Sequence, residues 1–217
     1  MASRLVCLTL LFNLSILSSG QDVDNCVDRT DNTIRIVNSI GGQYLPVQVG
    51  DLLATTYDAN RFTTCNDTGG DITFPGAVEF IAGSLTVFKQ IDINSIKVLV
   101  TLKKNDSSVG WLCLDGVKQN DQATDELCSF DLCSSSGSIL SFGLCGQLSA
   151  PGTYYYFQKN EIYFFLNPIP YEDRNLMTGM FKLSLQAKIG DEIIFAWTFA
   201  GTKANDGWVH ITKTGVQ

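Results

Sequence analysis

Cysteine is the residue type whose number and spacing in this 217-residue sequence point to definite chemistry. Cys7 lies in an apolar N-terminal segment, and six more cysteines follow it: Cys26, Cys65, Cys113, Cys128, Cys133 and Cys145. An even number of cysteines in an exported chain predicts disulfide bonds. Zinc or haem ligation has little material, because no Cys-x-x-Cys pair occurs and His210 is the only histidine. The sequence therefore predicts three disulfides and no metal site.

Catalytic groups are scarce. A serine, histidine and aspartate set would depend on His210, and the Gly-x-Ser-x-Gly sequence that presents a nucleophilic serine does not occur. A glycosidase pair of carboxylates leaves no local spacing to read, because its members meet only in the fold. The acidic opening lacks the glycine and terminal glutamate of a known calcium loop, so Asp22, Asp24, Asp28 and Asp31 are expected to lie in a solvated tail. We predict no catalytic residue, no cofactor and no enzyme, and rank a hydrolase third among the functional hypotheses.

The first residues predict export. Arg4 is followed by an apolar run too short to span a bilayer, and then by small residues before Gln21. This pattern predicts a signal peptide at 1–20 and one mature secreted domain at 21–217. Two sequons, at Asn66 and Asn105, are candidate sites for glycans on surface loops.

Charge excludes one class of partner. The chain has 15 basic and 22 acidic residues and a formal net charge of −7. Nucleic acid is an unsuitable partner, since binding to phosphate backbones requires a basic stripe. At endosomal or lysosomal pH the carboxylates approach their ordinary pKa range, which would ease approach to an anionic membrane. The alternative is that net acidity keeps an extracellular protein soluble.

Alternating apolar and polar residues predict the strands that position the cysteines and other side chains named above. Apolar and polar residues alternate through 181–188 and through 96–103, and Ile193, Phe195, Trp197 and Phe199 form a bulky apolar row. Further strands are predicted at 33–37, 77–81, 84–91, 154–157, 161–166 and 208–212. Helical periodicity is nearly absent. The pattern predicts one all-β domain, an antiparallel β-sandwich or barrel.

Large apolar side chains are numerous, with 13 Phe, 7 Tyr and 3 Trp. Splayed sheets with aromatic walls would leave a pocket for a lipid tail, whereas closely packed sheets would form a dense aromatic core. The segment 133–145 is expected to be a loop whose apolar residues, among them Phe142 and Leu144, either plug the core or form a lipid-facing rim. Composition leaves both alternatives open.

Several ordered features resemble one family. They are Ser-Ile-Lys-Val-Leu-Val-Thr-Leu-Lys-Lys at 95–104, Val109-Gly110-Trp111 with Cys113, the pair Cys128 and Cys133, Leu144-Cys145, Pro151-Gly152-Thr153-Tyr154, and Leu176-Met177-Thr178-Gly179-Met180. In this order they resemble the ganglioside-activator group of the ML (lipid-recognition) family. The resemblance implies an Ig-like, ML-type cup of antiparallel strands around an apolar cavity. It also implies a secreted or lysosomal lipid carrier that presents a glycolipid to a lysosomal glycoside hydrolase.

The resemblance also implies residue roles. It implies that Cys113 pairs with Cys128 and Cys133 with Cys145, which leaves Cys26 with Cys65. Lipid contacts are expected at loop tips that meet a membrane and on two rows that line the cavity: Trp111, Phe142, Leu144, Leu176 and Met177 at tips, and Phe181, Leu183, Leu185, Ile193, Phe195, Trp197 and Phe199 in rows. The expected ligand is a glycolipid, sphingolipid or phospholipid. The alternative function is an Ig-like or jelly-roll recognition or adhesion module without a lipid cavity.

Overall fold

The computed structural model describes residues 26–121, 123–133, 141–156, 163–166, 177–203 and 207–213. The predicted signal peptide lies outside these residues. Strands dominate them and helices are few and short, which confirms the mainly β prediction. In chain order the strands are β1 Thr33–Asn38, β2 Val47–Asp58, β3 Cys65–Asn66, β4 Gly69–Phe74, β5 Gly76–Val87, β6 Lys97–Lys104, β7 Trp111–Leu114, β8 Val117–Lys118, β9 Ser129–Asp131, β10 Gly152–Tyr155, β11 Tyr163–Leu166, β12 Gly179–Ile189, β13 Glu192–Gly201 and β14 Val209–Lys213. The helices are α1 Asp125–Cys128 and α2 Ser141–Leu148.

The strands form one curled, half-barrel sheet whose main path runs β10-β5-β2-β1-β13-β12-β14-β4-β3. β6 pairs with the free edge of β12 and carries β7 and β9, while β11 pairs with β5. The prediction of a purely antiparallel sheet is wrong at one place, because β14 and β4 run parallel, with His210 opposite Asp71. Side-chain alternation reports which face of a strand is buried, but it carries no information on the direction of the partner strand.

Bulges explain where the predicted strands differ from the observed ones. β2 escaped prediction because its register with β5 shifts after Gly50, where Asp51 has a φ of 45° and the alternation breaks. The predicted strands 77–81 and 84–91 are one strand, β5, which continues through Gly83. Gly83 has a φ of +94°, and a Cβ there would lie 2.4 Å from the carbonyl oxygen of Asp51. Gly83 therefore marks a place where two backbones approach closely, and it does not end the strand.

A bulge also alters the predicted apolar row of β13. Ala187 pairs with Phe195 and Lys188 with Ile193, so that Ile194 is an additional residue on β13. Ile194 is fully buried and Ile193 only half-buried. The expectation that Ile193 shares the inner face with Phe195 and the two following aromatic residues is wrong, because the bulge interrupts the period of two.

The structure confirms all three predicted disulfides. The Cα–Cα distances are 6.0 Å for Cys26–Cys65, 5.3 Å for Cys113–Cys128 and 5.9 Å for Cys133–Cys145. All three lie in the range that a disulfide spans without backbone displacement. Three disulfides indicate an oxidising, extracellular-type compartment.

The core fills the concave side of the sheet. Phe195 and Trp197 stack there with their ring centroids 3.9 Å apart, and both are fully buried. The short helix α1 closes part of this side: Thr124 caps it by accepting a hydrogen bond from the backbone N–H of Leu127, and Leu127 is buried. Helix α2 begins inside the segment 133–145 that was predicted to be a loop, so that prediction is wrong for residues 141–145.

Candidate functional site

An apolar cavity of about 80 Å³ lies on the concave side of the sheet. Every side chain that lines it is apolar, and the lining comes from nine strands and both helices together with Met177. The lining residues are Ile34, Ile36, Ile72, Phe74, Val78, Phe80, Val100, Leu102, Leu127, Phe130, Leu144, Leu166, Met177, Leu183, Leu185, Trp197, Phe199 and Ile211. Among the described residues no polar atom contributes to the surface of the cavity, so the cavity offers a water molecule no hydrogen-bond partner.

Four of the seven residues in the two predicted rows line this cavity. Leu183 and Leu185 on β12 line it, opposite Phe199 and Trp197 on β13. Phe181 and Phe195 are fully buried but are not part of its wall. They pack beside it, and Phe195 supports the wall through its stacking on Trp197.

The predicted loop tips divide into two groups. Trp111 is 41% exposed, as expected. Leu144 and Met177 are buried and line the cavity, so their expected position at exposed tips is wrong. Leu144 lies on α2, a helix that sequence reasoning did not predict, and this helix directs it into the cavity. Leu176 and the side chain of Phe142 lie outside the described residues.

Other wall residues were missed by reasoning from the sequence. Ile34 and Ile36 lie on β1, and Val78 and Phe80 on β5, at alternating positions of strands that were predicted. That period of two was the signal that would have found them. Leu127 is different, since it lies on a helix of one turn for which the sequence has no periodic signal.

Two carboxylates, those of Asp28 and Glu79, contact the hydroxyl group of one tyrosine, Tyr57. Because a glycosidase uses two neighbouring carboxylates, we considered this pair as a candidate. The Tyr57 hydroxyl group lies 2.9 Å from Asp28 Oδ1 and 3.3 Å from Glu79 Oε2. Burial raises the pKa of Tyr57 to about 12, so this hydroxyl remains a proton donor between the two acids. Both carboxylates are held by contacts within the protein, Asp28 by Tyr57 and Glu79 by Tyr57 and Arg29, and we assign the cluster to anchoring of the chain.

This anchor corrects the expectation of a solvated tail. Asp28 accepts hydrogen bonds from Tyr57 and from Asn32 Nδ2, and Asp31 Oδ1 lies 2.7 Å from Lys203 Nζ. The hydrogen bonds of Asp31 to Lys203 and to the backbone N–H of Val27 lower its pKa. The contacts of Asp28 with Tyr57 and of Asp31 with Lys203 join residues far apart in the chain, so no local sequence pattern predicts them.

His210 belongs to a polar cluster of the parallel β14–β4 pair. Its Nδ1 lies 2.9 Å from Asp71 Oδ1 and 3.3 Å from Thr212 Oγ1, and Thr212 donates a hydrogen bond to Asp71 Oδ2. A nucleophile in a catalytic triad contacts the histidine nitrogen opposite to the one that meets the carboxylate. Here the hydroxyl and the carboxylate approach the same nitrogen, so the cluster joins two strands.

Within the described residues, no three His, Cys, Asp or Glu side chains come together as metal ligands would. In the same part of the chain, no helix has the length and apolar character needed to cross a membrane.

The two sequons differ in access. Asn66 lies in the tight β3–β4 hairpin, where its Oδ1 accepts hydrogen bonds from the backbone N–H and the hydroxyl of Thr68, both at 2.6 Å. Its Nδ2, the atom that would carry a glycan, is buried and has no hydrogen-bond partner among the described residues. Asn105 is exposed between β6 and β7.

We therefore predict one glycan, at Asn105. When the chain is expressed in secretory eukaryotic cells, Asn105→Gln is expected to remove the endoglycosidase-sensitive shift in electrophoretic mobility. Asn66→Gln is the matched control and is expected to leave that shift unchanged, because a sugar on a buried nitrogen opposes hairpin closure. A shift lost in Asn66→Gln and retained in Asn105→Gln would contradict the prediction.

No protein-family model matches the sequence, and a search of curated proteins returns no match.

Proposed function

We propose that this chain is a secreted lipid-binding and transfer protein that holds an acyl chain of a glycolipid or sphingolipid in the apolar cavity. The observation that carries the proposal is the cavity itself, whose walls are apolar throughout. Protein cores normally pack without voids larger than a water molecule. A void of about 80 Å³ costs roughly 2 kcal/mol of stability when it is empty, at about 24 cal/mol per Å³. A fold that retains such a void gains from filling it with a ligand.

The energetics of hydrocarbon binding suit a carrier. Each methylene that leaves water for the cavity contributes about 0.8 kcal/mol, so the about four methylenes that fit have a gross binding energy of roughly 3 kcal/mol. A lipid that leaves a bilayer exchanges one apolar environment for another, so the net gain is small. Transfer between membranes is therefore reversible.

The cavity limits how much of a chain is held. Its volume of about 80 Å³ is roughly half that of the 150 Å³ engineered cavity that takes up benzene. In this form it accommodates a few carbon atoms. A longer tail extends from its opening or requires the walls to move apart.

The lipid class, the destination and the partner enzyme in this proposal are supported by the sequence resemblance and not by the cavity. The glycolipid or sphingolipid class, the lysosomal destination and presentation to a glycoside hydrolase come from the resemblance of residues 95–104, 109–113 and 151–154 to the ganglioside-activator group. The competing function, an extracellular recognition module, shares the export signal and disulfides but has no use for an apolar cavity.

The test is a chain-length series of monomeric lipids that share one headgroup. We expect affinity to rise about fourfold for each added methylene until the cavity is full, and then to level off, because each methylene contributes about 0.8 kcal/mol. Fluorescence displacement or calorimetry measures the affinities. Mass spectrometry of organic extracts from the purified protein is expected to show bound lipid. Affinity that followed the headgroup and ignored chain length would favour the recognition module.

A further inference from the structure

The convex side of β6 and β12 carries an array of lysines flanked by tryptophans. We call it the basic aromatic face and define it by Lys97, Lys103, Lys182, Lys188, Trp111 and Trp208. Lys103 lies directly opposite Lys182 in the β6–β12 ladder, and Lys97 lies opposite Lys188. The residues between them on β6, such as Val100 and Leu102, point to the other side and line the cavity. The face is therefore separate from the cavity.

Two lysine–tryptophan pairs form the centre of this face. Lys103 Nζ lies 5.0 Å from the ring centroid of Trp111, and Lys182 Nζ lies 5.0 Å from that of Trp208. A lysine at this distance from an indole ring makes a cation–π interaction. Each pair offers a positive charge and an amphipathic ring at the same place.

Positive charge concentrated here is unusual for an acidic chain. Like charges directly opposite each other on paired strands destabilise a sheet. Within the described part of the chain, none of the four lysines forms an ion pair. Among the described residues of β6 and of the strands paired with it, two carboxylates lie beside the lysines: Asp131 is opposite Lys97, and Asp115 accepts a hydrogen bond from Thr101. In this described part of the face, four lysines against two aspartates leave a positive balance, although the chain has a net charge of −7.

Apolar side chains are exposed beside the lysines. The turn of the β7–β8 hairpin packs on the convex side, where a Cβ at Gly116 would lie 2.6 Å from the Leu99 side chain. This hairpin exposes Trp111 by 41%, Leu114 by 39% and Val117 by 61%. Tryptophan is enriched where membrane meets water. A soluble polyanion gains nothing from exposed leucine and valine, whereas a bilayer does.

We propose that the basic aromatic face docks on the surface of a bilayer that contains anionic phospholipid. The lysines contact the phosphate and carboxylate groups of the headgroups, and Trp111 with the hairpin residues enters the interfacial layer. This inference rests on the proposed function in one respect, because a lipid carrier has to meet a membrane. Its geometry does not involve the cavity.

The experiment is co-sedimentation of the mature chain with vesicles of phosphatidylcholine, with and without phosphatidylserine. We expect binding to the anionic vesicles, loss of binding at high salt and little binding to phosphatidylcholine alone. Lys103→Gln with Lys182→Gln is expected to weaken binding about 30-fold, because each lysine near an anionic surface contributes about fivefold. The matched control is Lys89→Gln with Lys203→Gln, which removes equal charge from ion pairs with Glu192 and Asp31. It is expected to bind nearly as well as the unchanged protein.

Three outcomes would overturn the inference: equal binding to both vesicle types, an equal loss in the control pair, or retention on a sulfated polysaccharide without binding to vesicles. The two proposals fail separately. If vesicle binding is absent but affinity still rises with chain length, the membrane-docking proposal is rejected and the lipid-cavity proposal stands. If vesicle binding is present but affinity does not depend on chain length, the lipid-cavity proposal is rejected and the docking proposal stands.

Discussion

Arg29→Met is expected to lower the free energy of unfolding by about 3 kcal/mol at neutral pH, because it leaves a buried carboxylate without its cation. Arg29 Nη2 lies 3.0 Å from Glu79 Oε1, and the Glu79 side chain is 0% exposed. Glu79 lies on β5, and it points away from the cavity that its neighbours Val78 and Phe80 line. Partial exposure of Arg29, 30% of its side chain, places the expected loss at the lower end of the range for buried pairs. Chemical denaturation at constant pH measures it.

The loss is expected to depend on pH. Burial raises the pKa of Glu79, and the nearby Arg29 guanidinium opposes that rise. A carboxyl whose pKa is higher in the folded chain binds its proton more tightly when folded, so its charged form costs stability at neutral pH. Without Arg29 this pKa rises further. The deficit of Arg29→Met should therefore be largest at neutral pH and shrink as the pH falls through the folded-state pKa of Glu79.

Two controls isolate the ion pair. Arg35→Met makes the same change at an exposed arginine on β1 and is expected to alter stability by less than about 0.5 kcal/mol. The double variant Arg29→Met with Glu79→Gln removes both charges and is expected to recover most of the loss. A double variant as unstable as Arg29→Met, with no dependence on pH, would show that packing of the arginine stem was lost instead.

Val100→Phe is expected to abolish lipid binding while leaving the protein as stable as before. Val100 lies on β6, is buried and lines the cavity. The added ring atoms occupy a void of about 80 Å³ that otherwise costs roughly 2 kcal/mol, and this gain offsets the strain of a larger side chain. If the new ring excludes about four methylenes of the lipid from the cavity, the binding free energy weakens by roughly 3 kcal/mol, which is more than 100-fold in affinity. The chain-length series measures the affinity, and thermal unfolding measures the stability.

Val98→Phe is the matched control for this variant. Val98 lies two residues earlier on the same face of β6, is fully buried and is not part of the cavity wall. The same enlargement meets packed neighbours there and is expected to cost about 1–3 kcal/mol, with little change in affinity for lipid. The cavity model predicts opposite results for the two variants. If Val100→Phe were as unstable as Val98→Phe and still bound lipid with the same dependence on chain length, the void would have no part in binding.

Local sequence patterns were enough to predict much of the architecture. The even set of mature cysteines and the alternation through 181–188 and 96–103 predicted a disulfide-bonded, mainly β chain, because strand faces follow a period of two within a few residues. The same period placed Leu183 and Leu185 on the buried face of their strand, the face that lines the cavity in the structure. Those properties depend on neighbours in sequence, so the sequence by itself determined them.

Only the tertiary structure decided how those faces close on one another. Met177 and Leu144 line the cavity because the curl of the sheet and helix α2 bring them inward, although they are distant in sequence from most of the wall. The parallel β14–β4 pair and the pairing of Arg29 with Glu79 likewise join segments far apart in the chain. Lys103 and Lys182 become one surface only when β6 pairs with β12. Partner, register and direction of each strand are set by the closure of the whole sheet, which no window of local sequence contains.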